Sequence, residues 1–185
     1  MHLITRTPKL GLQLIRPSIF KDHRGEYTET YNQQEILPGQ LFIQDSVIMS
    51  TKGVLRGYHG DDRTLKLVTC LQGAFKIVIL CIDPEDDRFL QYDELILDDK
   101  ERLSVVIPPK FVNAHQCLTD TCLFFYKQTT FYKGQNHQYS IRWDSIGSWP
   151  LQPVLSKRDS EEAHYFWFYV DAINKRLKAP DEANK

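Results

Sequence analysis

Four stretches of this 185-residue chain carry side chains able to do chemistry. The densest is Gly53-Val54-Leu55-Arg56-Gly57-Tyr58-His59-Gly60-Asp61, followed by Leu65-Lys66-Leu67-Val68 and Cys70-Leu71-Gln72-Gly73. It sets an Arg, a His and a Lys on two strand-like runs that a short turn can pair. The histidine is a proton acceptor near neutral pH, and the two cations suit oxyanions. Strict strand alternation puts Arg56 and His59 on opposite faces, and a bulge at Gly57 would realign them. The second stretch, Ile107-Pro108-Pro109-Lys110-Phe111-Val112-Asn113-Ala114-His115, brings another histidine after a Pro-Pro turn. Phe124-Phe125-Tyr126-Lys127 places a phenol in an aromatic strand, and Leu155-Ser156-Lys157-Arg158-Asp159 supplies a carboxylate. Singly, each has an ordinary explanation: core packing for Phe124 and Phe125, a solvent-facing Lys66, a helix cap at Asp159. Their joint occurrence, in this order, is the informative feature.

The elements that must position these groups are almost all strands. Runs punctuated by Gly, Pro, Asp and Asn fall at Glu26–Asn32, Leu41–Thr51, Val54–His59, Thr64–Leu71, Phe75–Ile82, Gln91–Leu97, Leu103–Ile107, Val112–Leu118, Cys122–Tyr132 and Tyr139–Trp143. Many short strands at regular spacing predict a mainly β sandwich or closed barrel. Turn signals stand at Gln72-Gly73, Asp83-Pro84 and Asp98-Asp99. The final segment differs. Ala163, Phe166, Val170, Ile173 and Leu177 step by three and four residues, which predicts an α-helix over about 160–178 with Asp159 or Ser160 as its N-cap and Pro180 beyond it. Nothing resembles a linker or a repeat, so 1–185 reads as a single domain.

Composition sets the outer limits. Hydrophobic residues at 42% and charged residues at 25% match a globular chain. Twenty-three Lys and Arg against 24 Asp and Glu leave a net charge of −1, which gives no field for a nucleic-acid backbone or an anionic membrane. No run reaches the roughly 18 apolar residues of a membrane span, and Met1 to Lys9 lacks the apolar centre of a signal peptide. The four cysteines, Cys70, Cys81, Cys117 and Cys122, form no C-x-x-C pair and read as buried free thiols. A cytoplasmic protein is expected. A metal-dependent cupin would need a ligand pair such as H-x-H, yet Gly57 and Asp61 flank His59 at two positions. No metal is expected.

Taken together, R-G-x-H, K-L-V-x-C-x-x-G, I-P-P-x-F-x-x-x-H, F-x-Y-K and L-S-x-x-D resemble the dTDP-4-dehydrorhamnose 3,5-epimerases. Asp22-His23-Arg24-Gly25 with Glu29, and Ile141-Arg142-Trp143-Asp144 with Trp149-Pro150, extend the likeness from about Pro17 to Asp159. The resemblance implies a cupin-type jelly-roll barrel and a homodimer whose N-terminal segment passes to the neighbouring subunit. It also implies a nucleotide-diphosphate 4-keto sugar as substrate and no metal or organic cofactor. By position, His59 matches the family's base, Asp159 its orienting carboxylate, Lys66 the cation at the enolate oxygen and Tyr126 the acid. Arg24 and Arg56 match the pyrophosphate clamps, with Arg24 acting from the partner. Tyr27, Glu29, Gln44 and Phe131 fall where the family contacts the nucleotide base, and His115 on a second pocket histidine.

Two features depart from the family pattern. His59-Gly60-Asp61 stands where H-x-Q is usual, with a shorter turn to Lys66, and Gln44-Asp45-Ser46 replaces Q-D-N. The H-G-D form is similar to a branch acting on GDP-linked 4-keto heptoses, so the nucleotide, the sugar and the number of centres inverted stay open. The alternatives are a cupin sugar 3,4-ketoisomerase and a non-catalytic jelly roll that binds sugar nucleotides.

Overall fold

A computed structural model describes residues 3–165 and 170–171. Its strands are β1 (Leu3–Arg6), β2 (Gln13–Arg16), β3 (Ile19–Asp22), β4 (Gly25–Thr28), β5 (Gln44–Thr51), β6 (Leu55–Gly60), β7 (Lys66–Gln72), β8 (Ala74–Cys81), β9 (Tyr92–Asp98), β10 (Ser104–Ile107), β11 (Phe111–Cys117), β12 (Thr121–Gln128) and β13 (Tyr139–Ser140). One sheet runs β1-β2-β10-β7-β12-β5 and the other β13-β6-β11-β8-β9, every pair antiparallel. The two sheets face each other as the cupin-type jelly roll that the motifs implied. A separate hairpin, β3–β4, stands outside both sheets.

Burial follows from what covers each face. The edge strand β5 alternates between partly buried and exposed residues as far as Met49, because only its inner face is covered. By contrast, β11 is buried at all seven positions. Its inward row joins the main core of Val68, Phe75, Ile77 and Ile79, while Val112 and Ala114 pack outward against Tyr58, Ile141 and Trp149. Covering both faces explains why β8 reads as an almost continuous apolar run. The four cysteines are buried free thiols, as expected. Burial raises the thiols of Cys70 and Cys81, to about 12 and about 11. No helix among the described residues is long and apolar enough to cross a membrane.

Three strands were not expected: β1, β2 and β3. Every residue of β1 is exposed, so no alternating face marks it in the sequence. The helix expected from about 160 is not formed over its first residues. Arg158–Glu162 forms a π-helical turn, Ala163 is extended, and His164 bridges Ile141 in the manner of a strand. Lys157 stands at the N-cap position, and Asp159 lies inside the turn and is buried, its amide donating to Ser156 Oγ at 3.2 Å. Val170 and Asp171 are helical, whereas the rest of the expected helix beyond Tyr165 lies outside the described residues.

Candidate active site

The space between the sheets is apolar at one end and polar at the other, because the inward rows change character along each strand. On β12 the row runs Cys122, Phe124, Tyr126; on β7 it runs Cys70, Val68, Lys66; on β11 it runs Cys117, His115, Asn113. The polar ends surround a cavity of about 270 Å³, which His59, Lys66, Tyr126, Asp159, Arg56 and His115 line together. A groove lined by Phe131 and the Asp61–Thr64 turn shares Tyr132 and Gln138 with it.

The realignment expected at Gly57 is present. Asn113 pairs with His59 and His115 with Arg56, so Ala114 alone opposes the two residues Gly57 and Tyr58. That bulge returns Arg56 and His59 to one face. Gly57 has φ 122°, and a Cβ there would lie 2.5 Å from Asn113 O and 2.6 Å from Ala114 Cα. Only glycine fits this close approach.

Nε2 of His59 lies 2.9 Å from Oδ1 of Asp159, although the ring N–H is poorly aligned with that oxygen. Catalytic contacts commonly tighten only with substrate bound. Burial lowers the His59 imidazole below its ordinary range, against the opposing pull of Asp159. Burial by itself would raise the Asp159 carboxyl, but His59, Ser156 Oγ and the Gly57 amide outweigh it and hold the group low. The dyad at neutral pH is therefore a neutral imidazole beside a carboxylate, the state a general base requires. Ser156 donates to Asp159 Oδ2 at 2.8 Å and fixes the carboxylate's orientation.

Lys66 reaches Asn113 Oδ1 at 3.4 Å, and burial lowers its ammonium to about 8. Arg56 Nε donates to Ser50 Oγ at 3.2 Å. His115 is 3% exposed, stacks on Phe124 with ring centroids 4.0 Å apart, and leaves Nε2 without a hydrogen-bond partner. Burial, then the charge of Arg56, pushes its imidazole down to about 3. Tyr126 packs edge-on against the other side of the aromatic row, 5.8 Å from Phe124.

The remaining sequence candidates lie elsewhere. Gln44 Oε1 accepts from the Tyr132 amide at 2.9 Å, so it holds the cavity rim from outside, and Phe131 stands 65% exposed on the neighbouring groove. Arg24 and Tyr27 are on the β3–β4 hairpin, where Arg24 pairs with Asp22, and Glu29 follows β4. None of these three lines the cavity of its own chain. Asn113, Gln138, Ser156 and Arg158 line it without having been singled out. The signal for Asn113 was its place two residues before His115, on the same strand face. Arg158 donates to Gln138 Oε1 at 3.3 Å across the rim, a pairing between distant segments that no local pattern marks.

The model of the dTDP-4-dehydrorhamnose 3,5-epimerase family matches residues 6–165. The chain belongs to that family. It is thus an isomerase of the epimerase class. The family's enzyme from Salmonella typhimurium is 33% identical over 172 residues, covering 86% of this chain and 93% of its own. That from Methanothermobacter thermautotrophicus is 32% identical, covering 80% and 86%. Among solved structures, dTDP-6-deoxy-D-glucose-3,5-epimerase from Legionella pneumophila, in complex with dTDP-4-keto-L-rhamnose, superposes with a TM-score of 0.84 at 28% identity, over 96% of this chain and 97% of that one.

Proposed function

We propose that this epimerase inverts C3, C5 or both in a nucleotide-linked 4-keto-6-deoxy sugar, with dTDP as the nucleotide. The observation that carries the reading is the origin of the catalytic groups. His59 comes from the five-stranded sheet, Tyr126 and Lys66 from the six-stranded sheet, and all three meet in one cavity. A flat enolate between facing sheets presents one face to a base and the other to an acid.

The ketone at C4 acidifies the hydrogens on C3 and C5. His59 takes one of these as a proton, and the C–H electron pair passes through the new C=C bond onto the C4 oxygen. Asp159 stabilises the imidazolium so formed. Lys66 faces the developing oxyanion, where a fixed cation in a dry site lowers the barrier most. Tyr126 then delivers its phenolic proton to the opposite face, the C=O reforms, and solvent restores both groups. Arg56 clamps the diphosphate. His115 Nε2, desolvated and unpartnered, is available to a sugar hydroxyl. No step calls for a metal or an organic cofactor.

The working unit we propose is a homodimer in the cytoplasm, serving bacterial surface polysaccharide synthesis. Val47 and Met49, 55% and 67% exposed on the outer face of edge strand β5, give the dimer an apolar face. The hairpin then carries Arg24, Tyr27 and Glu29 to the partner's cavity. NMR of the product from dTDP-4-keto-6-deoxyglucose tests the chemistry: the carbonyl stays at C4 while C3, C5 or both invert. A carbonyl moved to C3 would instead establish a 3,4-ketoisomerase. Conversion of a GDP-linked 4-keto heptose alone would keep the chemistry and overturn the dTDP assignment.

A further inference from the structure

The turn joining the base strand to the lysine strand is closed by one carboxylate. Asp61 Oδ1 accepts from the amides of Arg63 and Thr64 at 2.9 and 2.8 Å, and Oδ2 accepts from Thr64 Oγ1 at 2.7 Å. Thr64, 6% exposed, shares a 2.6 Å hydrogen bond with Thr130 Oγ1, and Leu65 exchanges hydrogen bonds with Thr129. This knot ties the end of β6, which carries His59, and the start of β7, which is Lys66, to the segment leaving β12, which carries Tyr126. Three donors thus hold the Asp61 carboxylate in one place.

We propose that Asp61 is a positioning residue for Lys66, closing the turn so that a fixed negative charge holds the lysine protonated through the catalytic cycle. Lys66 makes no ion pair among the described residues, and Asn113, which its ammonium reaches, is neutral. The charged and titratable groups around it come from every packed element: His59 and Arg56 on β6, His115 on β11, Tyr126 on β12, and Arg158 with Asp159 on the π-turn. Burial and Arg158 both favour the neutral amine, whereas Asp61 favours the ammonium. A neutral amine would not neutralise the enolate oxygen. The short turn to Lys66, which departs from the family pattern, is thereby given a role.

The inference rests on the role proposed above for Lys66, and the pH profile of kcat tests it. Asp61→Asn and Asp61→Ser both keep an acceptor for the turn amides while removing the charge. Each is expected to bring the alkaline limb to lower pH, with kcat at pH 9 at least about threefold below wild type once normalised at pH 6.5. Asp61→Glu restores the limb. Thr64→Val, which cuts the knot but keeps the charge, lowers Tm and leaves the limb in place. An unmoved limb in whichever neutral variant folds overturns the proposal. So does a limb moved as far by Thr64→Val, because shape rather than charge would then be responsible. An inactive wild-type protein would instead sink the epimerase reading itself.

Discussion

His59 and His115 illustrate how one residue type takes two roles from its surroundings. Both are desolvated, but Asp159 opposes the effect at His59, whereas Arg56 reinforces it at His115. His115 therefore stays neutral in the native state down to about pH 3, while its unfolded form takes a proton near pH 6.5. Between those limits the unfolded state binds the extra proton, so stability is lost as pH falls from about 6.5 toward 3. The slope from this one residue is about 1.4 kcal/mol per pH unit. Replacing it with phenylalanine retains the stack on Phe124 and removes the buried, unpartnered nitrogen. His115→Phe is expected to flatten the acid limb of urea-determined stability between pH 6 and 4 while raising KM for the sugar nucleotide. An unchanged stability slope would mean that the acid sensitivity resides elsewhere.

The elements were legible to different degrees, and the reasons are physical. Strands β5 to β12 stand out because each buries at least one face, so apolar alternation or an unbroken apolar run marks it. The bulge at Gly57 was legible as a parity conflict between Arg56 and His59 that a glycine could resolve. By contrast, β1 buries nothing, and at the expected start of the helix a π-helical turn forms instead, in which Asp159 turns in to His59. The pairing of Arg158 with Gln138 joins segments twenty residues apart and leaves no local trace. Gly57→Ala tests the bulge directly. Its Cβ would meet the β11 backbone at 2.5 Å with φ at 122°, so we expect a loss of about 2–4 kcal/mol in stability. The loss of kcat should exceed 10-fold even below the melting transition, because Arg56 and His59 no longer share a face. An active, stable Gly57→Ala protein would show that the bulge is not needed for alignment.

At the scale of the whole molecule, the motif set pointed to the family and the jelly roll, while single-chain geometry leaves Arg24, Tyr27 and Glu29 away from the cavity they were matched to. The proposed segment exchange would resolve that mismatch, and it makes a specific prediction. Arg24→Ala and His59→Asn subunits, each inactive as homodimers, regain about a quarter of wild-type activity when unfolded and refolded together in equal amounts, since half the dimers are mixed and each has one intact site. No recovery would place Arg24 in its own subunit's site or outside catalysis. Near-neutral net charge offers no long-range field for a nucleic-acid backbone, yet it averages over Arg56, Lys66 and Arg158, three cations gathered at one cavity. The central claim, enolate formation by His59 within that cavity, is tested most directly by solvent-deuterium exchange. In D₂O, the wild-type protein should place deuterium at C3, C5 or both of dTDP-4-keto-6-deoxyglucose or another nucleotide-linked 4-keto sugar, and His59→Asn should place none. Absence of exchange with every such sugar, or exchange undiminished in His59→Asn, would contradict the account.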